Sequence, residues 1–270
     1  MFLKPLPDRI TAGGVEFELM TKGEGKSLLF LHGPLGVDAD DPLVARLAKS
    51  NEVIVASHPG FGLSSRPDFV STIDDVVYAY LDLVEAMDLK DVTLVGASIG
   101  GWIAAELAVR GSDRFTKLVL IDPVGVKLGS REERPIYDVF GLTNDELPDM
   151  YFGSRDSGLA AMHDLKFPDF PEAAAVRHAR NRETLSLYGW APTLYNPKLL
   201  QRLHRIKAPT LVLWGDKDRV VGVAYGQQYA AAISGAKFEV IPGVGHLGYY
   251  ENPDEFGRRT QAFLSAGRSR

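Results

Sequence analysis

The strongest constraint on how this chain folds is a G-x-S-x-G pattern at positions 96–100, placed between two runs of different character. Residues 92–95 form a short apolar, β-rich run, and residues 103–108 are helix formers. A strand that becomes a helix within one residue strains that residue and leaves room only for glycine two positions before and after it. The turn lifts the Ser98 hydroxyl clear of the sheet edge, at a helix N-terminus that favours negative charge. Ser98 is therefore the candidate nucleophile.

Strand patterns and helix patterns alternate along most of the chain. Alternation of apolar and polar residues at 15–20 predicts an antiparallel strand. Continuous apolar runs predict strands buried on both faces at 27–31, 53–56, 117–121, 209–214 and 237–241. Helical spacing, with a cap at Ser71 or Thr72 for the second helix, predicts helices at 38–49, 72–87, 223–233 and 253–264. Such alternation indicates an α/β fold with a mostly parallel sheet and right-handed crossovers.

The segment 124–207 has a different sequence pattern. It shows no clean strand pattern, and prolines and glycines break its helical fragments. Because strand–helix alternation resumes after it, the segment is an insertion and not a break between domains. We predict a core domain of residues 1–123 and 208–270, and a helical cap of residues 124–207. A length of 270 residues suits one large α/β domain with such an insertion.

Composition excludes several functional classes. The 35 acidic and 30 basic residues give a net charge of −5, whereas nucleic-acid binding needs a basic face. The chain has no cysteine, which rules out disulfides, thiolate metal sites and cysteine nucleophiles. Neither HExxH nor a phosphate-loop pattern is present, so we expect no metal and no other cofactor. Since residues 1–7 contain no signal-peptide run and no stretch approaches the roughly 20 apolar residues of a membrane span, we expect a soluble, cytoplasmic protein that acts on a small molecule. These patterns leave the oligomeric state open.

With a serine on this strand-to-helix turn, the sequence resembles the α/β-hydrolase fold superfamily over nearly its whole length. Within it, the chain is similar to serine hydrolases with a helical lid, such as esterases and meta-cleavage-product hydrolases. The resemblance implies a mostly parallel central β-sheet flanked by helices, with a helical cap inserted after the sixth strand. It also implies a catalytic triad in the chain order serine, acid, histidine. A serine hydroxyl needs such a base, and the base must itself be oriented.

His246 is the candidate base. It follows the last predicted strand in a glycine-flanked loop, at the carboxyl edge of the sheet. The superfamily has a Gly-His pair there followed by an Asn-Pro helix start, which Asn252-Pro253 matches. His32 opens an earlier loop and is expected to form structural hydrogen bonds. The other, weaker candidates are His58, His163, His178 and His204.

The loop after the strand at 209–214 offers two carboxylates, Asp216 and Asp218. By resemblance, the second acidic residue of this G-x-x-D turn is the catalytic one, which points to Asp218 and leaves Asp216 as a turn cap. Asp122 follows the preceding strand and is the alternative, because some members of the superfamily place their acid there. The acid would accept a hydrogen bond from His246 and stabilise the imidazolium.

Two backbone N–H groups should stabilise the anion that forms on attack. One belongs to Ile99, directly after the nucleophile. By resemblance, the second belongs to the residue that follows His32-Gly33. Here that residue is Pro34, which has no N–H. We expect Leu35 to supply the second donor through a shifted loop; the alternatives are a water, a side chain, or a reaction other than ordinary ester hydrolysis.

The predicted cap is rich in large apolar side chains, most of which should pack it onto the core. A minority should line an apolar pocket above the nucleophile. The candidates for this pocket are Trp190, Tyr188 and Phe140. Three arginines close together in the sequence form either a solvated helix face or a site for a substrate carboxylate. They are Arg177, Arg180 and Arg182.

A serine nucleophile points to acyl transfer from esters, lactones, thioesters or activated C–C bonds, whereas an aspartate would indicate dehalogenation or epoxide opening. The leading prediction is a serine hydrolase that cleaves a small to medium, fairly apolar ester or lactone through an acyl-enzyme. The alternative resembles the meta-cleavage-product C–C hydrolases, which need a cationic pocket for an anionic dienoate. A non-hydrolytic ligand receptor on the same fold is a third hypothesis, kept open by Pro34.

Overall fold

The computed structural model describes residues 6–111, 113–130, 132–157 and 172–266. Its strands form one large sheet and one two-stranded sheet. In chain order they are β1 (Asp8–Ala12), β2 (Val15–Lys22), β3 (Lys26–Leu31), β4 (Asn51–Ala56), β5 (Val92–Ala97), β6 (Phe115–Ile121), β7 (Gly125–Val126), β8 (Tyr195–Asn196), β9 (Thr210–Gly215) and β10 (Lys237–Ile241).

The large sheet has the order β1-β2-β4-β3-β5-β6-β9-β10. Only β1 with β2 and β2 with β4 pair antiparallel, and every other pairing is parallel. The predicted α/β class with a mostly parallel sheet is confirmed. Because parallel strands end at the same edge, the loops after β3, β5, β6, β9 and β10 meet along one rim. The first strand, β1, had no prediction, since it is a largely exposed edge strand without an apolar run.

The described helices are α1 (Pro42–Leu47), α2 (Ile73–Ala86), α3 (Ile99–Val109), α4 (Leu147–Tyr151), α5 (Glu172–Gly189), α6 (Val223–Ala231), α7 (Gly248–Glu251) and α8 (Pro253–Ser265), with a 3₁₀ helix at Leu200–Arg205. The helix predicted at 38–49 is shorter than expected, because Asp41 caps it and Pro42 begins it. Thr72 caps α2 in a capping box with Asp75, as one of the two predicted caps. Among the described residues, no helix is both long enough and apolar enough to cross a membrane.

The two elements that carry Ser98, β5 and α3, lie entirely within the core. Every residue of β5 is buried, and so is every residue of α3. Leu94 and Val95 are fully enclosed by neighbours on both sides of the sheet, including Val119 on β6. A turn between two such fixed elements has little freedom, so its geometry is set by the core.

The segment 124–207, expected to lack strands, contains two short ones at its ends. Gly125 of β7 pairs with Tyr195 of β8, and Val126 pairs with Asn196, in parallel. These pairs bring the beginning and the end of the segment together. Its longest described element is α5, whose 18 residues follow the undescribed stretch 158–171. His163 lies in that stretch, outside the described residues.

Candidate active site

Ser98 occupies the turn between β5 and α3 with φ 53° and ψ −115°, a left-handed conformation that is strained for serine. The two glycines of the motif make this turn sterically possible. A Cβ on Gly96 would lie 2.3 Å from the Gly100 carbonyl oxygen, and one on Gly100 would lie 2.1 Å from the Leu31 carbonyl oxygen. The Ser98 N–H donates to the carbonyl of Ile121 at 2.9 Å, which ties the turn to the end of β6.

The structure brings Ser98, His246 and Asp218 together. His246 Nε2 lies 2.7 Å from Ser98 Oγ, and His246 Nδ1 lies 2.8 Å from Asp218 Oδ2. A carboxylate only accepts, so Nδ1 carries the ring proton and Nε2 is left to accept from the serine hydroxyl. The side chains of the acid and the base are buried, at 0% and 1% exposure. This arrangement can take a proton from Ser98 and return it.

Local backbone donors hold the Asp218 carboxylate in place. Its Oδ1 accepts from the N–H groups of Val220 and Val221 at 2.8 and 2.9 Å, which leaves Oδ2 facing the imidazole. Asp216 is exposed and accepts from the Gly243 N–H at 2.6 Å. Asp216 therefore caps the loop that leads to His246 and does not contact the ring.

The His246 loop is fixed from two sides. The Lys217 N–H donates to the Val244 carbonyl at 2.9 Å, which joins the loops after β9 and β10. Glu251 accepts from the Gly245 N–H at 2.8 Å and from the Gly153 N–H at 3.0 Å, so its carboxylate links the loop to the segment after α4.

Tyr151 also contacts this loop. Its carbonyl accepts from the Leu247 N–H at 2.7 Å, and its ring stacks 6.1 Å from the His246 ring. Neither Glu251 nor Tyr151 was predicted from the sequence. A single glutamate and a single tyrosine carry no pattern that distinguishes them from surface or core residues, so only coordinates identify these contacts.

Among the described residues, Asp122, the alternative acid, forms no hydrogen bond with His246, whose ring Nδ1 bonds Asp218 instead. It is fully buried at the end of β6 with φ 43°, and its Oδ1 accepts from the Gly215 N–H at 2.8 Å. Its Oδ2 has no hydrogen-bond partner among the described residues. Burial, followed by the nearby charge of Asp218, raises the pKa of the Asp122 carboxyl well above its usual range.

The loop after β3 packs directly on the Ser98 turn. A Cβ on Gly100 would lie 2.4 Å from the His32 carbonyl oxygen, and the Gly36 N–H donates to Gly33 across a turn whose central residues are Pro34 and Leu35.

Two backbone amides lie at this point. Within the described part of the chain, the N–H groups of Ile99 and Leu35 have no acceptor. The Leu35 carbonyl accepts from Asn181 Nδ2 at 2.9 Å, which fixes the loop from the side of α5. The assignment of Ile99 and Leu35 as oxyanion donors stays a prediction.

His32 and His58 form a buried structural pair. Their rings stack at 3.6 Å, and the His58 N–H donates to His32 Nε2 at 2.9 Å. Burial lowers the pKa of His32 to about 4 and that of His58 well below its usual value, so both rings are neutral. His178 is also mostly buried and bonds Asn144, and burial lowers its pKa to about 4. His204 is exposed.

A small cavity of about 20 Å³ lies between the loop after β3 and the segment 124–207. Its lining includes Pro34, Leu35, Phe140, Tyr151, His178 and Arg182. Of the three residues predicted to line a pocket, Phe140 is the one that borders this cavity. Tyr188 instead donates its hydroxyl to the Pro59 carbonyl at 2.8 Å. Trp190 is 60% exposed and packs its ring 5.6 Å from that of Phe140.

The three arginines of α5 have different partners. Arg177 forms a buried ion pair with Glu18, with Nη2 3.4 Å from Oε1. Arg180 donates to the carbonyls of Gly60 and Ser64 at 2.9 and 2.6 Å. Arg177 and Arg180 therefore hold α5 against the core and lie away from the cavity.

Arg182 borders the cavity. It donates to Asn144 Oδ1 and to the Leu142 carbonyl, both at 2.8 Å, which leaves further guanidinium N–H groups.

Comparison with known proteins matches the chain over most of its length. The model of the alpha/beta hydrolase family matches residues 28–259. The chain is 28% identical to a 2-hydroxy-6-oxo-6-(2'-aminophenyl)hexa-2,4-dienoic acid hydrolase of Metapseudomonas resinovorans, over 95% of this chain and 90% of the relative. It is also 28% identical to a 2-hydroxymuconate semialdehyde hydrolase of Pseudomonas sp. strain CF600, over 95% and 93%. Among solved structures, the meta-cleavage product hydrolase CumD of Pseudomonas fluorescens IP01 shares the fold, with a TM-score of 0.78, 24% identity, and coverage of 96% and 97%.

Proposed function

The chain belongs to the alpha/beta hydrolase family, and we propose that it hydrolyses the C–C bond next to a ketone in a 2-hydroxy-6-oxo-2,4-dienoate. The observation that carries the proposal is the hydrogen-bonded path from Ser98 Oγ through His246 to Asp218. Two relatives that match along nearly their whole length are named for hydrolysis of a dienoate and of a muconate semialdehyde. This support favours C–C cleavage over the ester or lactone hydrolysis that the sequence analysis put first.

In the proposed reaction, Ser98 attacks the C6 carbonyl while His246 Nε2 takes the hydroxyl proton. Asp218 keeps the ring in the tautomer that accepts this proton and stabilises the resulting imidazolium. The negative charge develops on the C6 oxygen, where the N–H groups of Ile99 and Leu35 would donate to it. All of these groups belong to fixed loops at the sheet rim, so little reorganisation accompanies the attack.

The leaving group explains why the substrate must be a dienoate. A simple carbanion is too basic to leave, but ketonisation of the 2-hydroxy group puts a proton on C5 and a ketone at C2. When the C5–C6 bond breaks, its electron pair delocalises through the C3–C4 double bond onto that ketone oxygen. The imidazolium of His246 supplies the proton that turns this dienolate into a hydroxydienoate. Water then releases the acid from Ser98 by the same relay.

Arg182 supports an anionic substrate. It is the guanidinium of α5 that borders the cavity beside Leu35 and Tyr151. Asn144 and the Leu142 carbonyl fix its orientation and leave further N–H groups available. A guanidinium fork matches a carboxylate in geometry and charge. We infer that Arg182 binds the C1 carboxylate of the dienoate, a role for which an uncharged ester has no counterpart.

The test compares two substrates that deliver the same benzoyl group. One is 2-hydroxy-6-oxo-6-phenylhexa-2,4-dienoate, followed by loss of its visible absorbance, and the other is p-nitrophenyl benzoate. The proposal requires a higher kcat/KM for the dienoate. A higher kcat/KM for the ester would contradict it and favour ester hydrolysis instead. Labelling of Ser98 by a fluorophosphonate separates both from a non-hydrolytic receptor, which would not react.

A variant pair tests the carboxylate site. We expect Arg182→Gln to raise KM for the dienoate by about tenfold, through loss of a charge-assisted contact, without changing KM for the ester. Arg180→Gln is the matched control, since Arg180 lies on the same helix but bonds the carbonyls of Gly60 and Ser64. An equal change for both substrates in Arg182→Gln would contradict the assignment.

A further inference from the structure

Asp122 is a buried carboxyl group that the proposed reaction does not use. It ends β6, and the same glycine connects it to the loop of Asp218: Gly215 donates its N–H to Asp122 Oδ1 at 2.8 Å and accepts from the Asp218 N–H at 3.3 Å. Asp122 is 0% exposed, and its Oδ2 has no partner among the described residues. A buried oxygen without a partner is costly, so this one needs an explanation.

The hydrogen bonds of Asp218 provide one. A carboxylate offers about four acceptor positions, two on each oxygen. Val220 and Val221 occupy both positions on Oδ1, and His246 occupies one on Oδ2. Beyond the effect of burial, Asp218 raises the pKa of the Asp122 carboxyl by its charge and as a side-chain hydrogen-bond partner, which makes the two side chains neighbours. A single proton shared between the open acceptor position of Asp218 and the unpartnered oxygen of Asp122 would therefore satisfy both.

The charges around the pair favour that proton. Glu251 adds a negative potential at Asp122, and the Tyr249 and Tyr225 hydroxyls near the two carboxyls are neutral, because burial raises the pKa of each phenol. His246 is the cation that forms in the reaction, and of the two carboxyls it hydrogen-bonds Asp218. Two adjacent buried carboxylates cannot both stay ionised, and the strong rise in the pKa of Asp122 is consistent with a neutral acid there.

We propose that Asp122 is a positioning residue, which as a neutral acid donates its O–H to Asp218 and holds that carboxylate toward His246. The inference rests on the proposed role of Asp218 in the serine relay. The pair then carries one negative charge, matched to the one positive charge of the imidazolium. Asp122 contacts neither the substrate nor the ring, so it acts through Asp218 alone.

The experiment measures the rate at which a fluorophosphonate modifies Ser98, as a function of pH, in the full-length protein. Asp122→Asn keeps an acceptor for Gly215 and supplies an N–H donor to Asp218, and asparagine tolerates positive φ. We expect its rate and the midpoint of its acid limb to match those of the unaltered protein. Asp122→Ala removes the donor, and we expect labelling to slow by roughly ten- to a hundredfold, the effect of losing one hydrogen bond to a charged group.

Two results would overturn the inference. If Asp122 were ionised, Asp122→Asn would remove a negative charge near His246 and move the acid limb to lower pH. If Asp122 only filled space, Asp122→Ala would lower the melting temperature and leave the labelling rate of the folded protein unchanged. Failure of the unaltered protein to label would refute the serine relay itself, which keeps the two failures distinct.

Infrared difference spectroscopy supplies a direct signature. At about pH 8 the unaltered protein should show the carbonyl stretch of a protonated carboxylic acid, and Asp122→Asn should lack it. Asp41 is the main source of interference, because burial raises its pKa to about 6, and the chosen pH ionises it. Absence of the band from the unaltered protein would contradict a neutral Asp122.

Discussion

The rim of the sheet and the packed face of α5 are both polar, but they are built in different ways. At the rim, each candidate catalytic side chain lies just beyond a strand: Ser98 directly follows β5, Asp218 is three residues after β9, and His246 is five residues after β10. The sheet topology alone brings these positions together. On α5, the contacts to the core join side chains to backbone groups that are 116 to 146 positions away in the chain.

The face of α5 has helical spacing without an apolar stripe. Its buried residues are Ala174, Arg177, His178, Asn181, Thr184, Leu185, Tyr188 and Gly189. Four of these eight bond a specific carbonyl, N–H or carboxylate of the core or of the loop beside it: Arg177, Asn181, Thr184 and Tyr188. Local motifs and the sheet topology therefore set the positions of the rim residues. The packing of α5 instead depends on individual hydrogen bonds and ion pairs with remote partners. Substitutions at the rim should affect the chemistry first, and substitutions on α5 should affect stability first.

The largest effect should come from Ser98→Ala. Without the nucleophile the relay has no proton to move, and we expect turnover to fall by about a millionfold, as in serine triads generally. The melting temperature should stay within a few degrees, because among the described residues Ser98 Oγ bonds only His246. Measuring both quantities tests the rim half of the comparison. Substantial residual turnover by a fully folded Ser98→Ala variant would contradict the prediction that the rim carries the chemistry.

Arg177→Met tests the other half. The change leaves Glu18 buried without its cation, and loss of one partner of a buried pair costs about 3–5 kcal/mol of unfolding free energy. Fluorophosphonate labelling of the folded protein should change by less than about threefold. Chemical denaturation supplies the measurement, and Arg134→Met, at an exposed arginine, is the control. The cost arises from a buried charge that has lost its partner. The double variant Arg177→Met/Glu18→Gln should therefore recover part of the lost unfolding free energy.

The same contrast explains what the sequence could predict. The strand runs, the Ser98 turn and the Asp218 and His246 loops have local patterns, and their strands and helices are present in the structure. Leu35 and Pro34 were identified as a departure because the motif around them is local too. Trp190 was expected in a pocket because it is large and apolar, yet size does not tell which way a helix faces.

The unpredicted contacts share one physical cause. Glu251 joins the His246 loop to Gly153, and Asn181 joins α5 to Leu35, across 98 and 146 positions. Such bonds depend on where two remote backbones lie to within a few tenths of an ångström. Hydrophobic periodicity carries no information at that precision. The proposed pairing of Asp122 with Asp218 belongs to the same class, although both residues are recognisable in the sequence as acids that follow strands.

Asp41 gives a pH-dependent test within the core. Burial raises its pKa from the usual 3.8 to about 6 in the folded protein. The folded state therefore favours the neutral acid, and its advantage, complete below pH 3.8, is lost as pH rises through 6. We expect Asp41→Asn, which keeps the cap on α1, to gain up to about 3 kcal/mol relative to the unaltered protein between pH 4 and pH 7. Chemical denaturation of both proteins at pH 4 and pH 7 measures the difference in their unfolding free energies. The same difference at the two pH values would contradict the prediction.

Asn181 is the residue where the two regions meet. Its Nδ2 donates to the Leu35 carbonyl and its Oδ1 accepts from the Gly62 N–H, both at 2.9 Å. We expect Asn181→Ala to slow fluorophosphonate labelling about tenfold, because one hydrogen bond that fixes the predicted oxyanion loop is lost. Thr184→Val is the matched control: it removes a bond to Gly60 from the same helix face. If both variants slowed labelling equally, the effect would be general loosening of α5.

The smallest effect should come from Pro34→Ala. The substitution adds an N–H at the position where the superfamily has its second oxyanion donor. If the anion already receives the N–H groups of Ile99 and Leu35, the new donor is redundant, and the labelling rate should change by less than about threefold. A site short of one donor would instead gain roughly a hundredfold from it. The loop itself should survive the change, because Asn181 still holds the Leu35 carbonyl and Gly36 still bonds Gly33. Loss of the proline costs at most about 1 kcal/mol of stability, through the unfolded chain. A large gain in the labelling rate would contradict the assignment of Leu35 as the second donor. It would mean that the local motif does not suffice to predict the contacts of the rim.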